Sequence, residues 1–549
     1  MFDPHSVASK RRASVSQDFQ AVIIVGYGQN LYPFNQGTNV ISKALIPVGN
    51  IPIINYVIDW VLAAGLLDIL IIVPNVFHGQ IANHIAEAYN KSSYSRIRIN
   101  LRRNTEGERD EDENDSEKDL SQKDGTARIL RRFRNFIKVD FLLLPCDIAP
   151  PSYLPLKAVL DRHRSTPNAI MTSVFYEPID SVKEVEEHIL VGLDKNTSEL
   201  LLITPLDSMD EEDFQIRTSL LTNHPSLSLT TRLLDAHVYV FRRTFLDLLA
   251  TRRAKDLDSM KEQVVPWLIK GGWQRSLGQK WAPILDPPGR DPLAQALAQS
   301  TNAPPSLSLP NGISSPFSQQ ALLPQTCPPS PGEVDTLYGS GILSPIRPTK
   351  GKLPKWKCQI IVAAPPSLPA VPTPAQSKGS KQDKSNVQYS PESEHLVRAN
   401  SLAGYWELNR RFIKTLATNS QPARVVIPED AGTAPDVSSA AQISPDSHLG
   451  EGTRVGEKAS IKKCIIGRHC VIGKGVKLTG CVIWDFVTVE ENARIENSIV
   501  CSNGRIGEKA QIKDCEFGTG FEALSGGGWF KHLINDNIAH LPCFSCSQR

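Results

Sequence analysis

Two glycines near the start of the chain could bring backbone amides close to a phosphate group. Gly26 and Gly28 follow the apolar run QAVIIV, which is typical of a buried strand. A glycine-rich turn after such a strand lets N–H groups approach an anion, because no Cβ stands in the way. A glycine pair alone is a weak signal, so the ligand has to be inferred from the residues around it.

A basic stretch, ARILRRFRNFIK at residues 127–138, could contact nucleic acid. The same stretch carries Ile129, Leu130 and Phe133 at the spacing of a helix face, so the arginines are more simply the solvated side of an amphipathic helix. The whole chain has 60 basic and 58 acidic residues. This balance gives no electrostatic reason to expect a nucleic acid or a membrane surface as a partner.

The ten cysteines do not show the paired CxxC spacing of a zinc site, so we interpret them as reduced thiols. Cys543 and Cys546 lack the βαβ setting of a redox pair. We therefore expect neither a metal nor a cofactor. The first residues carry no apolar run after the basic ones, so they do not predict a secretory signal, and we expect a cytosolic protein.

The elements that must position these residues alternate along the chain. The runs QAVIIV, ILIIV and DFLLLP read as strands, and the helical patterns IINYVIDWVLAAG and GQIANHIAEAY lie between them. This alternation predicts an α/β domain with a mostly parallel sheet and helices on both faces. Ligands on such sheets bind at the carboxyl ends of the strands. Asp59 and Asp68 argue against a membrane span in the long apolar stretch that contains them.

In the rest of the chain, the amino-acid composition distinguishes segments expected to be disordered from segments expected to fold. Segments rich in Pro and Ser cannot bury enough apolar surface to offset the entropy of ordering, so they are predicted to be disordered. Strand LPKWKCQIIVA and a helix within 396–416, after a capping Asn or Ser, are expected to complete the first domain. The predicted boundaries are a disordered N-terminus at 1–18, a first domain at 19–285 with an acidic loop at 104–122, a disordered insert at 286–352, the completion of the first domain at 353–418 with an insert at 365–393, and a linker at 419–440.

From Ile443 onward, apolar residues recur every five or six positions, and equivalent corners return every 17 residues. This period cannot come from an α-helix and indicates a hexapeptide-repeat β-helix at 441–520, with about four coils and a tail at 521–549. Its coils are expected to be left-handed, as in known hexapeptide-repeat families. Glycines follow several inward residues, where a close approach of the chain leaves no room for a Cβ; they are Gly450, Gly456, Gly467, Gly473, Gly507 and Gly518.

The first domain resembles the sugar-phosphate nucleotidyltransferases. The stretch VGYGQNLYPFNQGTNVISKALIPVGNIPII, with Gly26, Gly28 and Lys43, is similar to the loop and lysine that hold a nucleoside triphosphate in that family. The resemblance implies contacts to the base for Gly125 and Thr126. It also implies the role of a Mg²⁺-binding carboxylate for Asp147, in the run LLLPCD.

Five positions depart from the pattern of that family. Asn30 replaces the loop arginine, Val25 the second loop glycine, and Ser42 the proline before the lysine. Cys146 replaces the glycine before the metal carboxylate, and Arg398 lies near the place of the second metal carboxylate. Phosphoryl chemistry depends on positioning and on neutralised charge, so these changes predict a site without catalysis and leave open only a vestigial nucleotide-binding role.

A nucleotidyltransferase-like domain followed by a β-helix occurs in GDP-mannose and ADP-glucose pyrophosphorylases, in bifunctional uridyl/acetyltransferases, and in the gamma and epsilon subunits of initiation factor 2B. The chain resembles the gamma-subunit family most, through EQVVPWLIKGGWQ, WKCQIIV and VRANSLAGYWELNR. This resemblance implies a non-catalytic subunit of a guanine-nucleotide exchange complex. The implied partners are the epsilon and other subunits of initiation factor 2B and initiation factor 2 itself, without direct contact with nucleic acid or membrane.

Two other functions stay open from the sequence. One is an active sugar-phosphate nucleotidyltransferase, such as a GDP-mannose pyrophosphorylase. The other is a hexapeptide acyltransferase, which would use a histidine base such as His448 or His469 and would need a longer β-helix than four coils.

Overall fold

The computed structural model describes residues 18–34, 40–89, 96–106, 125–178, 188–208, 216–252, 257–285, 356–364, 395–418 and 434–530. The predicted disordered N-terminus up to residue 17, the insert at 286–352, the insert at 365–393, most of the acidic loop and the tail beyond residue 530 lie outside the described residues.

In the described residues, the first domain is built on a ten-stranded sheet. Its strand order is β11-β9-β10-β13-β8-β12-β6-β1-β4-β5. Two short pairs, β2 with β3 and β7 with β14, lie outside it. The strands are β1 (Phe19–Ile24), β2 (Pro47–Val48), β3 (Ile51–Pro52), β4 (Asp68–Val73), β5 (Arg98–Arg103), β6 (Asp140–Pro145), β7 (Ile148–Ala149), β8 (Ala169–Tyr176), β9 (Ile189–Asp194), β10 (Glu199–Pro205), β11 (Leu227–Thr230), β12 (Leu234–Phe241), β13 (Lys357–Ala363) and β14 (Val397–Arg398).

Strand β1 lies between β6 and β4 and is parallel to both, and β5 extends this parallel half of the sheet. Strand β13 lies between β8 and β10, so the segment after the Pro/Ser-rich insert completes the interior of the sheet. Along β1, Ala21 and Ile23 pack into one apolar cluster and Val22 and Ile24 into another. The sheet is therefore covered on both faces, which explains why its strands read as unbroken apolar runs.

Helices cover the two faces of the sheet. Helix α1 buries Ile54, Val57, Ile58 and Val61, whose spacing of three or four residues gives it one apolar side. The helix stops just before Gly65, which has a φ of +83° that only glycine adopts without strain. The helices are α1 (Ile53–Ala63), α2 (His78–Tyr89), α3 (Thr126–Arg132), α4 (Leu156–Ser165), α5 (Thr218–Asn223), α6 (Thr244–Ala250), α7 (Val265–Trp273), α8 (Arg275–Leu285) and α9 (Leu402–Thr418).

Helix α9 begins later than the start of the predicted segment at 396. Ser401 caps it, because the Ser401 Oγ accepts a hydrogen bond from the Gly404 N–H at 3.3 Å. The residues before the cap are extended, because β14 pairs in antiparallel fashion with β7. The predicted cap is confirmed, and the pairing explains the late start.

The C-terminal part is a β-helix of three parallel sheets. Within residues 434–530, two sheets have six strands and the third has five, which is more than the four coils expected from the sequence. The strands also extend beyond both predicted ends, 441 and 520. They are β15 (Asp436–Val437), β16 (Gln442–Ile443), β17 (His448–Leu449), β18 (Arg454–Val455), β19 (Ser460–Lys462), β20 (Ile465–Ile466), β21 (Val471–Ile472), β22 (Lys477–Thr479), β23 (Val482–Ile483), β24 (Thr488–Val489), β25 (Arg494–Glu496), β26 (Ile499–Val500), β27 (Arg505–Ile506), β28 (Gln511–Lys513), β29 (Glu516–Phe517), β30 (Glu522–Ala523) and β31 (Gly528–Phe530).

After the first coil, residues that pair between adjacent coils of these sheets are 17 positions apart, which is the predicted period. Ile461 pairs with Leu478, Leu478 with Ile495, and Ile495 with Ile512, all in parallel strands. A Cβ on Gly450 would lie 2.5 Å from the carbonyl carbon of Gly467, one coil away. Gly450 is thus required by the stacking of adjacent coils, and the same holds for Gly456, Gly467, Gly473 and Gly507. Gly518 differs, because its Cβ would lie 3.2 Å from the Pro33 carbonyl oxygen of the first domain. Together with the mixed α/β sheet, these parallel sheets confirm the predicted fold class and are consistent with a left-handed β-helix.

The β-helix packs against the first domain through its third sheet, which contains β20, β23 and β26. Trp484 is 2% exposed and lies in an apolar cluster with Phe34, Val48 and Tyr405. The Trp484 Nε1–H donates to the Tyr405 hydroxyl at 2.8 Å, and that hydroxyl donates to the Pro47 carbonyl at 2.8 Å. Helix α9 therefore connects the two parts of the chain.

In the part of the chain that the structure describes, no helix has both the length and the apolar character needed to cross a membrane.

Candidate functional site

The candidate site lies where the parallel strands β1, β4 and β6 end. Gly26, Pro74 and Asp147 follow these three strands and line a cavity of about 200 Å³. This is the edge of the sheet at which α/β domains bind ligands. The volume is below the range of about 300 to 1,000 Å³ that is usual for small-molecule sites.

Asp147 is a buried ionisable residue of the cavity that contacts two cations. It is 1% exposed, and both of its carboxylate oxygens accept hydrogen bonds from Arg398. The Arg398 Nε lies 3.2 Å from Oδ1, and Nη2 lies 3.1 Å from Oδ1 and 3.0 Å from Oδ2. Lys43 adds a second cation through contact of its Nζ with Oδ2. Two basic side chains thus bind the carboxylate that would bind Mg²⁺ according to the family resemblance.

The electrostatic balance at Asp147 favours its charged form. Burial alone would raise the pKa of Asp147, but the adjacent charges of Arg398 and Lys43 outweigh burial and hold the pKa well below its ordinary value. Asp147 is therefore a carboxylate at neutral pH, and its charge is balanced within the protein.

Backbone pairing brings Arg398 to this position. Arg398 pairs with Ile148 in the short ladder of β14 and β7, one residue after Asp147. The next residue, Ala399, donates its N–H to the Asp147 carbonyl at 2.7 Å. The main chain on both sides of the ion pair is thus fixed, and the long Arg398 side chain is held in register with Asp147.

Lys43 is positioned by a short 3₁₀ turn at Lys43–Leu45. The Ser42 Oγ accepts from the Ala44 N–H at 3.4 Å, and the buried Ser42 N–H donates to Gln80 Oε1 at 3.2 Å. Gly28 lies next to Lys43 and has a φ of +73°. A Cβ on Gly28 would lie 3.3 Å from the Lys43 Cβ. Gly28 therefore makes room for Lys43, which is a structural reason for this glycine.

The Gly125-Thr126 segment is occupied by the protein itself. The Gly125 N–H donates to Asp258 Oδ1 at 2.9 Å, and the Ala127 N–H donates to the Asp258 carbonyl at 2.8 Å. The Thr126 Oγ1 accepts from the Met260 N–H at 3.1 Å. A Cβ on Gly125 would lie 2.4 Å from the Asp258 carbonyl oxygen. Residues 258–260 thus close over the groups that the resemblance assigns to the base.

The structure brings most of the predicted site residues together. Asn30 is exposed and lines a larger cavity next to the first, and Ser42 is buried without lining either cavity. The Val25 N–H donates to the Ile72 carbonyl at 2.9 Å. Burial raises the pKa of the Cys146 thiol to about 11. The predicted residues that line the smaller cavity are Val25, Gly26, Lys43, Thr126, Cys146, Asp147 and Arg398.

Three residues of strand β12 belong to the site but were missed from the sequence. Asp235 is buried and accepts from the Tyr239 hydroxyl and, at 2.8 Å, from the His237 N–H. His237 has a φ of 57° at a bulge of β12, and burial together with the charges of Arg398 and Lys261 lowers its pKa well below its ordinary value. His237 is therefore neutral at physiological pH. The signal in the sequence was two polar residues inside the apolar run LLDAHVYVF.

The second cavity has a volume of about 1,010 Å³ and shares Thr126, His237, Met260 and Arg398 with the first. On its other side it is lined by Trp406 of α9 and by Glu516 of the β-helix. The Trp406 Nε1–H lies 3.4 Å from Glu516 Oε1, to which it donates. The β-helix thus contributes a wall to the space in front of the candidate site.

Among the residues that the structure describes, no group of three or more His, Cys, Asp or Glu side chains could hold a metal ion. A metal at Asp147 would have to displace Arg398 and Lys43 from the carboxylate oxygens. The arrangement can hold a carboxylate between two cations.

Comparison with known protein families identifies two matching regions. Residues 20–185 match the family model described as "Nucleotidyl transferase". Residues 433–519 match the model described as "EIF2B subunit epsilon LbH domain". One match lies in the first domain and the other in the β-helix.

Curated relatives are similar over part of their length. The chain is 32% identical over 269 residues to "Translation initiation factor eIF2B subunit gamma" of Schizosaccharomyces pombe, which covers 48% of this chain and 54% of the relative. It is 24% identical over 258 residues to the protein of the same name from Caenorhabditis elegans, covering 46% of this chain and 58% of the relative. The chain thus spans about half the length of the curated relatives that it matches. These matches confirm the resemblance to eIF2B gamma subunits.

Proposed function

We propose that this chain is a non-catalytic subunit of the guanine-nucleotide exchange complex that acts on translation initiation factor 2. It supports GDP/GTP exchange in the cytosol by pairing with the epsilon subunit. The names of its relatives support a place in the eIF2B complex. The observation that carries the non-catalytic assignment is the ion pair between Arg398 and Asp147.

The Arg398–Asp147 pair argues against transfer of a nucleotidyl group. Such transfer needs a carboxylate that can bind a divalent cation, which neutralises the charge that develops on the phosphates. Here both oxygens of Asp147 are already bound by cations. Separating a buried ion pair leaves uncompensated charges and costs about 3 to 5 kcal/mol. A metal would have to supply this free energy before it could act on a substrate.

The closed Gly125-Thr126 segment argues against retained binding of a nucleoside triphosphate. The Gly125 N–H and the Thr126 hydroxyl are bonded to Asp258 and Met260, and the next N–H, of Ala127, is bonded to the Asp258 carbonyl. A base at this position would have to break these hydrogen bonds and displace Asp258. The pocket of this subunit is therefore proposed to be a vestige of a nucleotidyltransferase site.

The firm connection between the two parts of the chain supports a scaffolding role. Trp484 is buried between the parts, and the Asn50 Nδ2 donates to the Ile466 carbonyl at 2.7 Å. A subunit that holds its partners in a defined geometry requires fixed domains. The partners proposed for it are the epsilon and other subunits of initiation factor 2B and initiation factor 2.

The proposal can be tested with the tagged chain isolated from its own cells. We expect a hetero-oligomer that contains a larger homologous subunit and that accelerates the release of labelled GDP from initiation factor 2. Depletion of this chain should lower that rate. A homo-oligomer that leaves GDP release unchanged would contradict the proposal.

Retention of Lys43 and Asp147 favours a second candidate, an active sugar-phosphate nucleotidyltransferase such as a GDP-mannose pyrophosphorylase. This function predicts Mg²⁺-dependent release of pyrophosphate from a nucleoside triphosphate and a sugar 1-phosphate. Turnover that is abolished by Lys43→Ala or Asp147→Asn would establish it. We expect no turnover with any of the four nucleoside triphosphates.

A further inference from the structure

One face of the β-helix carries more basic than acidic side chains. This face is the outer side of the sheet formed by β16, β19, β22, β25, β28 and β31. Its outward strand residues include Lys462, Lys477, Arg494 and Lys513, all of them exposed. Glu496 is the one acidic residue among the described outward strand positions of this sheet. We call these five residues the basic face.

The register of the sheet places like charges side by side. Lys477 of β22 pairs directly with Arg494 of β25. Neighbouring strands lie about 4.8 Å apart. Like charges at directly opposed positions destabilise a sheet. The sequence thus places two cations next to each other, although an acidic residue at either position could have paired with the other cation.

Other cations of the same β-helix have acidic partners one coil away. The Arg468 Nη2 lies 3.2 Å from Asp485 Oδ2, and the Lys474 Nζ lies 3.3 Å from Glu457 Oε2. In both pairs the residues are 17 positions apart. The position one coil after Lys477 is Arg494, and the position one coil after Lys462 is Thr479.

The charge of the basic face is a local property. Residues 441–530 contain eleven basic and eleven acidic residues, so this region has no net charge. Within the described ranges, none of the four cations of the basic face forms an ion pair. The sheet that contains β20, β23 and β26 packs against the first domain, as shown by the buried Ile465, Val482 and Ile499. The basic face is a different sheet and is open to a partner.

We propose that the basic face binds an acidic segment of a partner protein. Four cations in about four coils match a peptide that carries several carboxylates. Glu496 follows Arg494 on β25 and pairs directly with Lys513 of β28. It would repel a continuous phosphate backbone, whereas a peptide can place a neutral residue opposite it. This proposal concerns the β-helix alone and does not depend on the state of the nucleotidyltransferase-like site.

The test uses the full chain and a labelled peptide in which glutamate alternates with serine. Fluorescence anisotropy should detect binding at low salt that weakens as salt is added, because exposed charges are screened. The double variant Lys477→Glu/Arg494→Glu should weaken binding by about tenfold or more. The matched control, Arg454→Glu/Lys474→Glu, makes the same change of charge on another side of the β-helix and should leave binding close to that of the unmodified chain.

Thermal unfolding of both double variants verifies that each is folded before binding is compared. An equal loss of binding in the two variants would overturn the proposal, because it would show an effect of net charge alone. The proposal also fails if the chain does not bind the peptide at low salt. Binding of a single-stranded RNA through Lys477 and Arg494, without binding of the peptide, would assign the face to nucleic acid instead.

Discussion

Arg398 and Asp147 are 251 positions apart in the sequence and form a bidentate, buried ion pair at the carboxyl ends of the parallel strands. The pair ties the segment before α9 to the end of β6. Helix α9 in turn contacts the β-helix through Tyr405 and Trp406. The position that the resemblance assigns to metal chemistry is therefore used here to connect the parts of the chain.

Replacing Arg398 with alanine should destabilise the protein strongly. Asp147 would keep Lys43 but lose the guanidinium that binds both of its oxygens, and a broken buried pair costs about 3 to 5 kcal/mol. Arg398→Lys should recover only part of this loss, since lysine lacks the planar fork. Urea denaturation measures the free energy of unfolding.

Arg468→Ala is the control for the loss of an arginine. Its ion pair with Asp485 is exposed and should contribute less than about 1 kcal/mol. Equal effects of the Arg398 and Arg468 variants would show that the Arg398–Asp147 pair has no special role.

Asp147 should contribute stability that depends on pH. Its pKa is lowered in the folded protein, so the unfolded chain binds the proton more tightly and the contribution is lost as the pH falls. Above the ordinary Asp pKa of about 4, the full contribution should be present. The difference in unfolding free energy between the unmodified chain and Asp147→Asn should thus be constant near neutral pH and shrink below about pH 4. A difference that grows on acidification would contradict the assigned direction.

The period of the β-helix and the strands of the parallel half could be predicted because each follows from a local repeat of apolar residues. The ends of the β-helix could not be predicted in this way. The first coil is longer than the others, since Gln442 pairs with Ser460 over 18 residues, and this breaks the count of 17. The last coil contains Gly526, Gly527 and Gly528 and offers few apolar residues to count.

Residues of the candidate site could be predicted where they belong to a sequence motif. They could not be predicted where only contacts between distant parts of the chain bring them to the site. Lys43 and Asp147 belong to runs that resemble a known family. Asp258 lies 133 positions from Gly125 and in no motif, so its role appears only in the folded chain. For Arg398, the family resemblance indicated an approximate place, and the two-residue ladder of β7 and β14 that sets its contact is too short to predict from sequence.

Two glycines of the candidate site should respond differently to substitution. In Gly125→Ala the new methyl would meet the Asp258 carbonyl oxygen at 2.4 Å, so the 258–260 segment must move, at a cost of about 1 to 3 kcal/mol. A Cβ on Gly26 would have nothing within 4 Å, so Gly26→Ala should change stability by less than about 0.5 kcal/mol. Thermal unfolding of the two variants compares them directly. The closed arrangement is incorrect if Gly125→Ala is as stable as Gly26→Ala.

Trp484 should determine whether the two parts of the chain unfold together. It is buried against Phe34, with ring centroids 5.1 Å apart, and its indole N–H is bonded to Tyr405. Trp484→Ala removes this contact area and leaves the Tyr405 hydroxyl without its donor, which should cost about 3 to 5 kcal/mol. Because the lost contacts lie between the parts, we expect one unfolding transition in the unmodified chain and two in the variant, measured by calorimetry.

The matched control for Trp484 is Phe486→Ala, two residues further along the same coil. Phe486 is 55% exposed and stacks only on His469 among the described aromatic contacts, with ring centroids 5.3 Å apart. Its removal should leave a single transition, because none of its described ring contacts joins the β-helix to the first domain. If both variants keep one transition at similar temperatures, the Trp484 cluster does not couple the two parts. In that case the scaffold would depend on the other contacts between the two parts, such as the hydrogen bond from Asn50 Nδ2 to the Ile466 carbonyl at 2.7 Å.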